Sequence, residues 1–197
     1  LRQCLEENPG IRGIMLGSHG LFTWGDTAYE SYINTLEVIE RCAEYLEDNI
    51  GKKREVFGGQ KIQSLTKEER LDKAASLAPL LRGFCSSEVK MVGHFTDDDR
   101  VLEFINSKDV ERLAQLGTSC PDHFLRTKIR PLVLDLPETV SLADISDLKK
   151  QLAPQFETYR EGYRKYYNDH KHDDSPAIRD SNPVVILWPG VGMFTFS

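Results

Sequence analysis

Ile14-Met15-Leu16-Gly17-Ser18-His19-Gly20-Leu21-Phe22-Thr23-Trp24-Gly25-Asp26-Thr27-Ala28-Tyr29-Glu30 is the stretch on which the fold turns. The apolar run at Ile14 reads as a short buried strand, and Gly17, Gly20 and Gly25 supply bends. Residues 21–24 predict a second strand. Thr27-Ala-Tyr-Glu30 spells a capping box, and Asp26 adds negative charge at the same helix start. Strand, turn, strand and helix therefore follow one another, and His19 sits at a strand end beside glycines. An imidazole there can face a cleft as a metal ligand or catalytic group; the plainer alternative is a surface histidine.

Composition bounds what surrounds this motif. The chain has 197 residues, 40% hydrophobic and 28% charged, an ordinary globular balance for one or two domains. A net charge of -6 without a basic stripe argues against nucleic acid as a partner. No apolar run reaches membrane-spanning length, so no membrane partner is expected. Cys4, Cys42, Cys85 and Cys120 form no CxxC pair, which favours free thiols in a reduced, cytoplasmic chain. Cys4 and Cys42 fall in helical patterns and are expected to be buried. Residues 1–8 read as the end of a helix and 194–197 as an interrupted strand, so the reading is a chain truncated at both ends.

Outward from the motif, strands are expected at 12–16 and 21–24 and a helix at 27–49. Ala28, Tyr32, Leu36, Ile39, Ala43 and Leu46 recur on that helix as one stripe expected to be buried. Gly51-Lys-Lys-Arg-Glu55 is a charged connector, and a boundary is placed near 50–65. Thr66-Lys-Glu-Glu69 opens a second capped helix, which runs through Leu81 despite Pro79. A strand is expected at 88–95, helices after Asp97-Asp-Asp99 and over 108–116, and a buried strand around Leu132-Val-Leu134. A long helix from Ser141 to about Asn168 carries Phe156, Tyr159, Tyr163, Tyr166 and Tyr167 at helical spacing, as core or interface. His170-Lys-His172 reads as a solvated loop.

The C-terminus echoes the opening without gaps. Gly13-Ile-Met-Leu-Gly-Ser-His-Gly-Leu-Phe-Thr-Trp-Gly25 aligns with Val185-Ile-Leu-Trp-Pro-Gly-Val-Gly-Met-Phe-Thr-Phe-Ser197, at an offset of 172 residues. Val191 stands where His19 stands and cannot ligate a metal. The match suggests a duplicated domain, although apolar hairpins also resemble one another by chance. Pro189-Gly-Val-Gly192 lacks the third glycine and the immediate helix of a dinucleotide fingerprint. Thr118-Ser-Cys-Pro-Asp-His-Phe-Leu-Arg-Thr-Lys-Ile-Arg130 is a second polar cluster. Asp122, His123, Arg126 and Lys128 in it are candidate substrate-binding residues for a phosphate or sugar, or ion pairs that shape a loop.

Leu16-Gly-Ser-His-Gly-Leu-Phe-Thr-Trp-Gly-Asp-Thr27 and its helix resemble the C-terminal signature of the class II aldolase/adducin family, over about residues 1–50. In the aldolase members this histidine is the last of three holding a catalytic zinc, so the resemblance implies that His19 is a metal ligand. There zinc acts as a Lewis acid that stabilises the enediolate left on carbon–carbon cleavage, and an upstream glutamate moves the proton. Thr118-Ser-Cys-Pro121 lies where the family carries a His-x-His-Pro metal motif before its His-Gly turn, counting back from Val191.

Ser119-Cys-Pro-Asp-His-Phe-Leu-Arg-Thr-Lys-Ile-Arg-Pro131 and Val184-Val-Ile-Leu-Trp-Pro-Gly190 further resemble the middle of the bifunctional rhamnulose-1-phosphate aldolase/alcohol dehydrogenase family. Those proteins place an aldolase region first and a short-chain dehydrogenase region last.

The expectation is therefore an α/β, three-layer, class II aldolase-like sheet with flanking helices and mainly antiparallel strands. Residues 1–55 would end one such domain, and 66–197 would be a second, degenerate copy or a linker domain. The implied parent cleaves a small sugar phosphate using a divalent metal, zinc by the resemblance, and uses NAD only through its dehydrogenase region. This stretch alone should be inactive. The competing class is a non-catalytic, adducin-like scaffold, and a homo-oligomer stays open.

Overall fold

A computed structural model describes residues 2–17, 19–49, 55–87, 89–137 and 140–197. The chain divides into two compact units, residues 1–55 with 119–121, and 56–118 with 122–197. The expected connector at 51–54 lies outside the described residues.

The first unit begins with α1 (Arg2–Glu7). Strands β1 (Gly13–Leu16) and β2 (Gly20–Thr23) then pair antiparallel as an isolated two-stranded sheet, with Ile14 opposite Phe22. Helix α2 (Ala28–Asn49) follows. Its Thr27–Glu30 capping box forms as read: Glu30 N donates to Thr27 Oγ1 at 3.1 Å, and Thr27 N to Glu30 Oε2 at 3.2 Å. The expected buried stripe is a correction. Tyr32, Leu36, Ile39 and Leu46 are 59%, 43%, 53% and 52% exposed. The face that docks is polar: Thr23 Oγ1 bonds Thr35 Oγ1 at 2.6 Å, Asn34 Nδ2 donates to the Trp24 carbonyl at 2.7 Å, and Asn34 is the buried residue of α2. A hairpin of two short strands covers one narrow face of a 22-residue helix, and hydrogen bonding chose that face.

The second unit opens with a tight turn at Val56–Gly58, then α3 (Lys67–Cys85). The Thr66 capping box is complete, and α3 passes Pro79 because Ala74, Leu77, Leu81 and Cys85 bury into the core. Strand β3 (Gly93–Thr96) is shorter than the expected 88–95, of which Glu88 lies outside the described residues. Asp98 caps α4 (Asp99–Ile105), and α5 (Val110–Leu116) ends at Gly117. The stretch 118–130, read as a loop, contains α6 (Pro121–Thr127), where proline takes a first helical position at no hydrogen-bonding cost. Strand β4 (Leu132–Val133), helix α7 (Ile145–His170), and strands β5 (Val185–Trp188) and β6 (Gly192–Phe196) complete it.

The sheet order is β3-β6-β5-β4, with only the β4–β5 pair parallel. Alternation along β5 and β6 sends Ile186, Trp188, Phe194 and Phe196 toward α3 and α7, where Leu77, Leu81, Leu152 and Phe156 meet them. Leu187, Met193 and Val133 face the other way, against Leu102 and Ile105 of α4. Helices thus cover both faces of a mainly antiparallel sheet, the expected three-layer α/β arrangement.

Cysteine burial departs from the expectation at Cys42, which is exposed, and Cys4, which is half-buried; Cys85 is the buried thiol. All four are free.

Candidate functional site

Two turns carry the candidate chemistry. The first ends β1. His19 N donates to the Leu16 carbonyl at 3.2 Å, and Trp24 N to the Arg12 carbonyl at 3.2 Å, so the hairpin is closed at both ends. The imidazole is exposed and stacks on Phe22, centroids 5.6 Å apart and planes 20° apart. One ring face therefore rests on the hairpin while the ring edge stays available. Tetrahedral protein sites use three or four protein ligands. Among the described residues no group of three or more His, Cys, Asp or Glu side chains is placed to hold a metal. The described residues by themselves do not make up a metal site; at this turn they offer one imidazole.

The second turn ends β5 and has the same construction. Val191 N donates to the Trp188 carbonyl at 3.0 Å and Phe196 N to the Val184 carbonyl at 2.9 Å, each bond lying 172 residues on from its counterpart. Pairing repeats as well: Ile14–Phe22 and Leu16–Gly20 correspond to Ile186–Phe194 and Trp188–Gly192. The glycines at the two ends serve different ends. Gly20 holds φ 151° with open space around it, whereas a Cβ on Gly192 would meet the Phe95 ring at 2.5 Å and the Thr96 carbonyl oxygen at 2.8 Å.

Turn 189–191 is clamped. Asn106, 2% exposed, accepts from Gly190 N through Oδ1 at 2.6 Å and donates through Nδ2 to Ser64 Oγ at 2.7 Å. Leu65 N donates to the Gly190 carbonyl at 3.3 Å. The turn forms one wall of a cavity of about 990 Å³ inside the second unit. The start of α3, the end of β4 and the middle of α7 form the others, bringing Glu69, Arg130, Asp135, Tyr159 and Tyr163 to the same space as Trp188 and Val191. Size and the mix of apolar walls with a few polar groups are those of a small-molecule site.

Charges around it are partly spent. Glu69 closes the Thr66 cap, and that hydrogen bond holds its carboxyl below the ordinary glutamate value. Lys61 and Glu111 form an exposed pair at 3.7 Å. Arg130 Nη1 bonds the neutral Gln115 Oε1 at 2.6 Å, and Tyr159 OH donates to the Arg130 carbonyl at 2.8 Å. Burial pushes the Tyr159 and Tyr163 phenols up, so both stay protonated donors at neutral pH.

The four substrate-binding candidates lie elsewhere. Asp122, His123 and Arg126 are exposed on α6, and none lines the cavity. Lys128, in a left-handed conformation with φ 65°, donates its ammonium to the Asp180 carbonyl and lies 4.4 Å from the Tyr163 ring centre. Burial lowers its pKa. The ammonium is engaged as a brace between 128 and 180. Exposed His170 closes α7, its Nδ1 2.8 Å from the Tyr166 carbonyl oxygen, and exposed His172 follows. Missed in the sequence are the cavity residues Arg130 and Trp188 and the buried Asn106 that clamps the turn behind them. Arg130 ended the polar cluster and Trp188 preceded the repeated turn, but nothing local marks Asn106 as the clamp on a turn 84 residues away.

A family described as aldolase class II, second domain, matches residues 72–197. An uncharacterized oxidoreductase of Bacillus subtilis (strain 168), YuxG, is 38% identical over 194 residues, which is 98% of this chain and 27% of that protein. The chain thus spans about a quarter of the length of the curated relative it matches. No solved structure matches. Among the described residues no helix is long and apolar enough to cross a membrane.

Proposed function

From the membership of this chain in the class II aldolase second-domain family, we propose that it is the central part of a metal-dependent, cytoplasmic lyase that cleaves a small ketose phosphate of the rhamnulose-1-phosphate type. The lyase is joined in one polypeptide to an oxidoreductase region that uses NAD. The Bacillus subtilis relative is named an oxidoreductase and is the longer protein, which supports the joined arrangement. Residues 1–55 end the catalytic domain, and 66–197 form a second copy that has lost its ligands.

The observation that carries the lyase reading is His19. Its backbone is fixed by a closed hairpin, its ring leans on Phe22, and its nitrogens stay open to solvent. That is the presentation a metal ligand requires, with the remaining ligands supplied outside the described residues. When bound, a divalent metal supplies Lewis-acid stabilisation of an enediolate; this chain contributes the position of one ligand. In the intact protein, chelation should abolish retro-aldol cleavage of rhamnulose 1-phosphate and added zinc should restore it. His19→Ala should lower kcat/KM roughly 100-fold or more and resist restoration at ordinary zinc concentrations. A chelator-insensitive activity, or a fully active His19→Ala protein, contradicts this reading.

A further inference from the structure

We propose that the cavity of the second unit is a metal-free binding site for an oxyanion-bearing polyol, a sugar phosphate or sugar acid, distinct from any site at His19. Three unspent donors point to it. Trp188 is 4% exposed and lines the cavity, and its indole N–H has no hydrogen-bond partner among the described residues. It is not among the polar atoms sealed from solvent without a partner, so it is free to donate into the cavity. Tyr163 is half-buried on the α7 wall, stays protonated, and its hydroxyl likewise has no partner among the described residues. Arg130 is half-buried and bonded only to a neutral amide through Nη1, with no described carboxylate pairing its charge. A planar guanidinium with free N–H groups is suited to a phosphate or carboxylate.

Acceptors balance these donors on the hydroxyl side. The exposed Asp135 carboxylate sits on the same rim, where it can take hydrogen bonds from a polyol but repels a second anion. An anionic head at Arg130 and a hydroxylated body reaching Asp135, with its C–H face on Trp188 and Val191, uses each group in its own sense. Val191 is 2% exposed and closes the position that His19 holds in the first turn, so the site binds without a metal. The inference goes beyond the lyase reading and rests on the second unit alone.

The test is nuclear magnetic resonance on the full 197-residue chain, which has two tryptophans and so two indole N–H signals, assigned with Trp24→Phe. D-sorbitol 6-phosphate and D-gluconate are titrated separately, with D-sorbitol and inorganic phosphate as controls. We expect at least one polyol anion to move the Trp188 indole signal downfield saturably and to bind at least 10-fold tighter than sorbitol or phosphate. Arg130→Gln should weaken that binding at least 10-fold, and Tyr163→Phe should weaken it measurably, in proteins whose thermal unfolding matches the parent. The proposal is overturned if neither anion shifts the signal, if sorbitol or phosphate binds as tightly, or if both variants bind like the parent. Loss of lyase activity in the His19→Ala protein leaves this result unmoved, which separates the two readings.

Discussion

The β1–β2 and β5–β6 hairpins share their pairing, their three-residue connection and their turn hydrogen bonds, yet Phe22 is 47% exposed and its counterpart Phe194 2%. The difference comes from neighbours. In the second unit β3 pairs with β6, β4 with β5, and helices pack on both faces. In the first unit the sheet has two strands, and α2 meets it through a polar seam. Register is thus a local property, set by turn and pattern, while burial is granted by the elements that flank the hairpin. The same division separates function: an exposed imidazole at one turn, an enclosed valine and a cavity at the other.

The comparison predicts unequal mutational costs. Phe194→Ala should destabilise the second unit by about 3–5 kcal/mol, because a buried ring leaves a cavity, whereas Phe22→Ala should cost under about 1 kcal/mol. Urea unfolding followed by circular dichroism measures both, and equal costs would break the comparison. Next in size, Gly192→Ala should cost about 1–3 kcal/mol by driving Cβ into Phe95 and the Thr96 carbonyl. Gly20→Ala should cost about 1 kcal/mol, from backbone conformation alone.

Thiols sharpen the contrast without mutation. Cys85 sits beneath the Pro183 carbonyl, and burial pushes its pKa up to about 12. At pH 8 it should resist a disulfide reagent until the protein unfolds, while exposed Cys42 reacts within the dead time of manual mixing. Rapid labelling of Cys85 in the native chain would place it outside a packed core.

The smallest effect is at the helix caps. Thr66→Ala should cost about 1 kcal/mol at neutral pH. Glu69 is held below its ordinary value chiefly by the Thr66 hydrogen bonds, so its folded pKa lies under its unfolded one. Its stabilising contribution is therefore present above about pH 4.5 and lost as pH falls through the folded value. The Thr66→Ala protein should lose less stability than the parent over that acid range, as read from unfolding midpoints.

Much of this was legible because it is local. Capping boxes at Thr27 and Thr66, the strand–turn–strand runs and the aspartates before α4 state their structure within four residues. Helix α6 escaped notice because a polar, charged composition hid the proline at its first position. The apolar stripe of α2 misled because periodicity identifies a face without saying what covers it. The cavity is the least readable feature. Arg130, Tyr163 and Trp188 lie on different elements, and Asn106 reaches the 189–191 turn only through the folded chain. A candidate set confined to 122–128 captured the residues just before β4 and stopped short of the wall at 129–137.

The central claim is that one turn holds a metal and its repeat does not. Metal content of the intact, purified protein, measured by mass spectrometry alongside His19→Ala and Val191→Ala, tests it directly. The account predicts one zinc per chain in the parent, loss of most of it in His19→Ala, and an unchanged content in Val191→Ala. Full zinc in the His19→Ala protein, or loss of zinc on changing Val191, would contradict it.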